Sequence, residues 1–170
     1  KLNDKLTLNY ETWNMNPDNL LRFGKTGIYA NQVALQKDSN KLSLQSESET
    51  QNAPLNIEFQ EFKIETLTNI AQQDSLSIGG KINGEAQIKD LMKSPLFTAD
   101  LDISDFNFRK DTIGNLAIKV NNEIANTYKA NIIITGQDNK VVRDGNYNSK
   151  SNSFDMDLDL ERLNLKSIQG

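Results

Sequence analysis

Three stretches of the chain repeat one pattern: apolar, acidic, apolar, two variable positions, apolar, polar, apolar. They cover residues 57–64, 101–108 and 158–165, and the last two match over longer runs, 97–108 and 154–165. Apolar residues at every second position are typical of a β-strand with one buried face. The two variable positions reverse the alternation, so a strand that keeps its apolar side inward must bend or bulge there.

Similar alternation fills the rest of the chain. The longest run covers residues 76–88, where Gly79, Gly80 and Gly84 indicate a bend, a bulge or a close approach of two backbones. Another strand is expected at 142–148, with a bulge at Asp144–Gly145. Short polar turns separate these runs, which favours consecutive antiparallel strands. The sequence therefore predicts an all-β fold, an antiparallel meander forming a curved sheet.

Helical signals are weak. No segment keeps a helical period over three turns, although residues 67–71 could form one helical turn or an irregular connection. The alternating runs 33–35 and 42–44 flank a polar turn and predict a hairpin.

Length and charge limit the functions that the chain can have. The chain has 170 residues, with 19 Lys and Arg against 23 Asp and Glu. The resulting net charge of −4 and the absence of a basic patch argue against nucleic-acid binding. No apolar stretch approaches the roughly 18 residues of a membrane-spanning helix. Because the alternation still continues at residues 163–168, near the end of the chain, we expect it to be a single β-rich segment, 1–170, of a longer repeat-like protein.

Reactive groups are scarce. The chain contains no Cys and no His, which removes disulfides and the usual partner of a serine nucleophile. Asp155, Asp157, Asp159 and Glu161 alternate along one strand face, but acids two apart on a strand lie roughly 6.5–7 Å from each other. That spacing is too wide for one calcium ion without ligands from other loops, and it favours a solvated outer face. We therefore predict no enzyme activity, no metal site and no cofactor.

The apolar face is the remaining candidate. It could be an ordinary closed core or an open groove lined by hydrocarbon, and composition does not separate the two. The residues predicted to line such a groove occupy alternate positions within each strand, so their side chains share one face. They are Ile78, Ile82, Ala86, Phe97, Ala99, Leu101, Ile103, Leu116, Ile118, Val120, Ile132, Ile134, Phe154, Met156, Leu158 and Leu160.

Several short motifs carry a resemblance to a known family. They lie at residues 80–84, 94–103, 114–118, 128–134, 145–147 and 154–160. Through them the stretch 78–165 resembles the β-rich region of the TamB family, AsmA-like bridge-like lipid transfer proteins, especially Asn-rich sequences of the Bacteroidetes type. Residues 1–77 match more loosely.

The resemblance implies a β-taco, a long sheet folded into a U with an apolar trough inside. It also implies a periplasmic protein that is anchored in the inner membrane and reaches an outer-membrane partner of the Omp85 type. Related proteins move phospholipid along such a trough, and TamB is linked to the assembly of outer-membrane proteins.

Three functional hypotheses follow. The first is a conduit segment whose groove holds phospholipid acyl chains. The second is a structural or interaction module with a closed core, which adds strands of outer-membrane proteins to its sheet edges. The third is a closed lipocalin-like barrel that holds one small ligand.

Overall fold

The chain folds almost entirely into β-strands. A computed structural model describes residues 2–8, 10–25, 27–50, 52–70, 77–91, 95–109, 111–122, 124 and 126–162. The elements in chain order are β1 (Lys5–Leu8), β2 (Glu11–Met15), β3 (Leu20–Gly24), β4 (Gly27–Asn31), β5 (Val33–Lys37), β6 (Asn40–Ser46), β7 (Leu55–Lys63), α1 (Ile64–Ile70), β8 (Ile78–Lys89), β9 (Leu96–Phe108), β10 (Asp111–Asn121), β11 (Thr127–Gly136), β12 (Asn139–Asn148) and β13 (Ser153–Arg162).

Eleven strands form one antiparallel sheet in the order β1-β2-β5-β6-β7-β8-β9-β10-β11-β12-β13. The hairpin β3–β4 forms a separate two-stranded sheet. From β5 onward each strand pairs with the next one in the chain, which confirms the predicted meander and the hairpin β5–β6. Within the ranges given above, the edge strands β1 and β13 do not pair with each other. The closed-barrel hypothesis is therefore wrong, and the sheet is open.

The repeated pattern marks β-bulges, as its reversed alternation predicts. In the first copy the register between β7 and β8 shifts between Phe59 and Phe62. Glu61, the second variable position, has a φ of 47°. Asp105 occupies the same position in the second copy and has a φ of 54°. Each bulge keeps the apolar side chains before and after it on one face of the sheet.

The third copy also bulges, but the predicted irregularity in β12 is wrong. The pairing of β12 with β13 shifts at Lys140 and Val141, which leaves Glu161 as the extra residue. By contrast, the register through Asp144–Gly145 is continuous on both sides of β12. Residues 163–165 of this copy lie outside the described part of the chain.

Asparagine, with 22 residues in the chain, completes the hydrogen bonding at several irregular sites. The side-chain oxygen of Asn83 accepts a bond from the backbone N–H of Glu61 at 2.9 Å. Asn115 accepts one from the N–H of Asp105 at 3.2 Å. Asn122, which is 3% exposed, bonds to the backbone at the start of β9. The Asn83 and Asn115 bonds pair backbone groups at the bulges, and the Asn122 bonds pair backbone groups where β9 begins.

Two hydrophobic clusters lie on one face of the sheet. The first is formed by β2, β5 and β7 together with Ala30 of the hairpin, and it surrounds Phe62, which is 0% exposed. The second joins Ile64 of α1 to β8, β9 and β10. The hairpin β3–β4 and the helix α1 therefore cover this face over the first part of the sheet.

The helix α1 begins at Ile64, where the pattern predicted the end of a strand, and it extends through the predicted helical turn. Residue 71, the last of that turn, lies outside the described residues. Across those residues, no helix combines the length and apolar character needed to cross a bilayer.

Candidate functional site: the apolar face of the sheet

Residues that pair across neighbouring strands point to the same face, so the register orders the apolar side chains into rows that cross the strands. The row nearest the bulges, here the core row, runs from β7 to β13. Its members are Phe62, Ile82, Ile103, Leu116, Ile134, Val141 and Leu160. The next row, the middle row, consists of Phe59, Gly84, Leu101, Ile118, Ile132, Arg143 and Leu158.

Two further rows complete the face. The small row consists of Ile57, Ala86, Ala99, Val120, Ala130, Gly145 and Met156. Beyond it lies the aromatic row, in which the ring centroids of Phe97 and Tyr128 are 6.1 Å apart and those of Tyr128 and Tyr147 are 5.9 Å apart. The aromatic row also contains Leu55, Ile88 and Phe154.

The small row carries shorter side chains than the rows beside it, and we call this strip the trough. Most of its side chains from β8 to β12 are Ala or Gly, whereas those of the middle and aromatic rows on either side are mostly longer. Five adjacent strands span about 19 Å at the usual spacing. At Gly145 the trough is open, because a Cβ built there would meet no atom within 4 Å.

Coverage of this face changes along the sheet. In the core row, Phe62 and Ile82 are 0% and 6% exposed, whereas Leu160 is 49% exposed. Leu158 and Phe154 of β13 are 53% and 62% exposed. Among the described residues, nothing covers the apolar side of β13.

All of the predicted groove residues lie on this one face. The register places those of β8–β13 in the four rows, and Ile78 packs against the second cluster. The register therefore places these side chains together, while binding of lipid by that face stays a prediction.

Sequence reasoning missed the contribution of β12. Val141, Arg143, Gly145 and Tyr147 all belong to the rows, yet none was predicted to line the groove. Their signal is the alternation of odd-numbered positions in β12, which the incorrect bulge at Asp144–Gly145 concealed.

A cavity lies on the opposite, polar face. Its volume is about 800 Å³, and it reaches from β6 to β12. On each strand from β7 to β12, three consecutive residues border the cavity. The first and third of them point to the polar face. These outer residues are Asn56, Glu58, Glu85, Gln87, Thr98, Asp100, Lys119, Asn121, Lys129, Asn131, Asp144 and Asn146. The middle residues are the small-row members of these strands, Ile57, Ala86, Ala99, Val120, Ala130 and Gly145. This cavity is therefore not the predicted apolar groove.

An ion pair and side-chain hydrogen bonds join residues that border the polar cavity. The ammonium of Lys119 lies 2.9 Å from a carboxylate oxygen of Asp100. This hydrogen bond raises the pKa of Lys119 above its ordinary value. Asn131 donates a bond of 2.7 Å to Asp144. Over the described ranges, no group of three or more potential metal ligands comes together.

No family model matches the chain, and no curated protein or solved structure is found to be similar to it. The geometry of the apolar face and the sequence resemblance are therefore the basis for inferring a function.

Proposed function

We propose that this chain is a non-enzymatic segment of a TamB-like protein that spans the periplasm, and that its apolar face holds phospholipid acyl chains on their way to the outer membrane. The observation that carries the proposal is the small row, a trough that continues from the covered strands to the exposed strand β13. The full-length protein, in this proposal, supplies the inner-membrane anchor and contacts an Omp85-type partner.

The energy of acyl-chain burial is sufficient for such a role. Each buried methylene contributes about 0.8 kcal/mol. Ten methylenes lying in the trough contribute about 8 kcal/mol before the cost of ordering the lipid is subtracted. The exposed side chains of Phe154 and Leu158 also lose contact with water when a chain lies against them.

The opposite face suits a protein that works in water. Asp155, Asp157 and Asp159 alternate with the apolar residues of β13 and are exposed. The polar cavity carries further acids and lysines. One face of the same sheet can therefore stay hydrated while the other binds hydrocarbon.

Native mass spectrometry of protein expressed in bacteria tests this proposal. We expect the wild-type chain to retain phospholipid and the Ala130→Lys variant to lose most of it, because a charge in the small row raises the cost of placing a chain there. Asn131→Lys is the matched control, since it places the same side chain one residue away on the polar face. A lipid-free wild-type chain, or equal loss in the two folded variants, would contradict the proposal.

The exposed edge of the sheet favours a second function, the addition of a partner strand. Every residue of β13 is exposed, and β13 pairs only with β12 in the described part of the chain. Such an edge is a template for strand addition by an outer-membrane protein. A lipid-free chain that binds a strand-forming peptide, and loses it when proline replaces Asp157, would favour this second function.

A further inference from the structure

Arg143 is an unusual member of the middle row. Its register partners are Ile132 on β11 and Leu158 on β13, and both are apolar. The pairing of β12 is continuous from Val141 to Tyr147, so Arg143 projects from the apolar face together with these two residues. Within the described parts of β11, β12 and β13, it is the only charged side chain in the four rows.

The guanidinium of Arg143 lies at the end of the trough. Its Nε donates to Sδ of Met156, the small-row residue that pairs with Gly145. A thioether is a weak acceptor, so this contact leaves most of the hydrogen-bonding capacity of the guanidinium unused. No described carboxylate forms an ion pair with Arg143; the acids of β13 alternate onto the polar face.

A positive charge at this position fits an amphiphile better than a second protein layer. An apolar layer that covered the face would remove the guanidinium from water without giving it a partner, which is strongly unfavourable. A lipid that lies in the trough brings its own anion to the end of the hydrocarbon. Guanidinium groups bind phosphate through paired, charge-assisted hydrogen bonds.

We propose that Arg143 binds the headgroup phosphate of a phospholipid whose acyl chain lies along the small row. This inference rests on the proposed acyl-chain binding and adds the orientation of the lipid. The headgroup lies at β12 and β13, and the acyl chain points towards β8. The open space above Gly145 is the part of the small row next to Arg143 on β12.

Binding of two lipids with the same acyl chain tests the inference. The probes are dodecanoyl lysophosphatidylglycerol and monododecanoylglycerol, titrated calorimetrically below their micelle concentrations. For the wild-type chain we expect the phosphate-bearing lipid to bind about threefold to tenfold more tightly, as a partly solvated charged hydrogen bond allows.

Variants assign this preference to one side chain. Arg143→Gln should remove the preference without changing the affinity for monododecanoylglycerol, and Arg143→Lys should retain part of it as a point charge. Lys129→Gln is the matched control, because it removes one positive charge from the polar face of neighbouring β11 and should change neither affinity.

The outcomes separate this inference from the function on which it rests. Binding of neither lipid contradicts both proposals. Equal binding of both lipids, or an unchanged preference in Arg143→Gln, overturns the role of Arg143 and leaves acyl-chain binding intact. Glycerophosphate that binds as tightly as the lysolipid also overturns it, since the anion site would then be independent of the trough.

A bulky residue at Gly145 provides a second test. Gly145→Leu fills the trough beside the guanidinium, and it should weaken the binding of both lipids by a similar factor of about tenfold. Asn146→Leu places the same side chain on the polar face and should have no effect. A Gly145→Leu variant that binds both lipids normally would show that the chain does not follow this path.

Discussion

Strands β7 and β13 carry the same sequence pattern and each contains a bulge, yet their apolar side chains have opposite environments. Phe62 and Leu160 belong to one row, but Phe62 is 0% exposed and Leu160 is 49% exposed. The difference comes from elements outside the pattern. The hairpin β3–β4 and the helix α1 cover the face beside β7, and no described element covers β13. The pattern therefore builds the face, and separate elements decide whether it becomes a core or a surface.

Truncating the two ends of the core row should give the largest contrast. Phe62→Ala removes a ring that packs against Trp13 and Phe59, and it should lower the free energy of unfolding by about 3–5 kcal/mol. Leu160→Ala should cost less than about 1 kcal/mol, because half of that side chain is already in water. Urea denaturation measures both variants. Similar losses would mean that β13 is covered in solution.

A pair of glycine substitutions compares the two regions at the backbone. Gly84 has a φ of +123°, and a Cβ there would lie in contact with the carbonyl oxygen of Asp100 on β9. Gly84→Ala should therefore destabilise the protein by about 2 kcal/mol. Gly145→Ala should change stability by less than about 0.5 kcal/mol, since its site is open. A large loss at Gly145 would contradict the open trough.

Removing the Asn83 side chain should have a smaller effect. Asn83→Ala leaves the backbone N–H of Glu61 without its acceptor at the bulge of β7, at a cost of about 1 kcal/mol. Asn146→Ala on the polar side of β12 is the control and should be almost neutral. Equal stability of the two variants in thermal unfolding would show that the bulge does not depend on the Asn83 bond.

The same bulge should produce a small dependence of stability on pH. Hydrogen bonds from Asn83 and then Lys81 hold the pKa of Glu61 below its ordinary value of 4.5. Because the unfolded chain then binds more protons, this contribution is complete above the ordinary pKa and is lost as the pH falls through the lowered value.

Comparison of Glu61→Gln with wild type isolates this contribution. Urea midpoints measured from about pH 6 to about pH 3 should fall less steeply in Glu61→Gln than in wild type. Glu49→Gln, in the exposed loop after β6, should leave the slope unchanged. Parallel curves for wild type and Glu61→Gln would contradict the prediction.

Sequence reasoning succeeded where one local rule decides the structure. Strand alternation fixed the shared face, and its reversal at Glu61 and Asp105 located two bulges, because side chains alternate strictly along a strand. It failed at Ile64, where packing against β8–β10 overrides the alternation and begins a helix. It also failed at Asp144–Gly145, since a glycine in a strand can equally mark a bulge or an open surface. The covering of the face depends on contacts distant in sequence, which no local pattern encodes.

Photo-crosslinking at neighbouring positions of β13 tests the central claim most directly. Benzoylphenylalanine placed at Leu158 lies on the apolar face, and placed at Asp157 it lies on the polar face. In living cells, we predict phospholipid adducts at position 158 and none at 157, detected by mass spectrometry of the purified protein. Adducts to protein alone at position 158, or equal lipid adducts at both positions, would contradict an open apolar face that holds acyl chains.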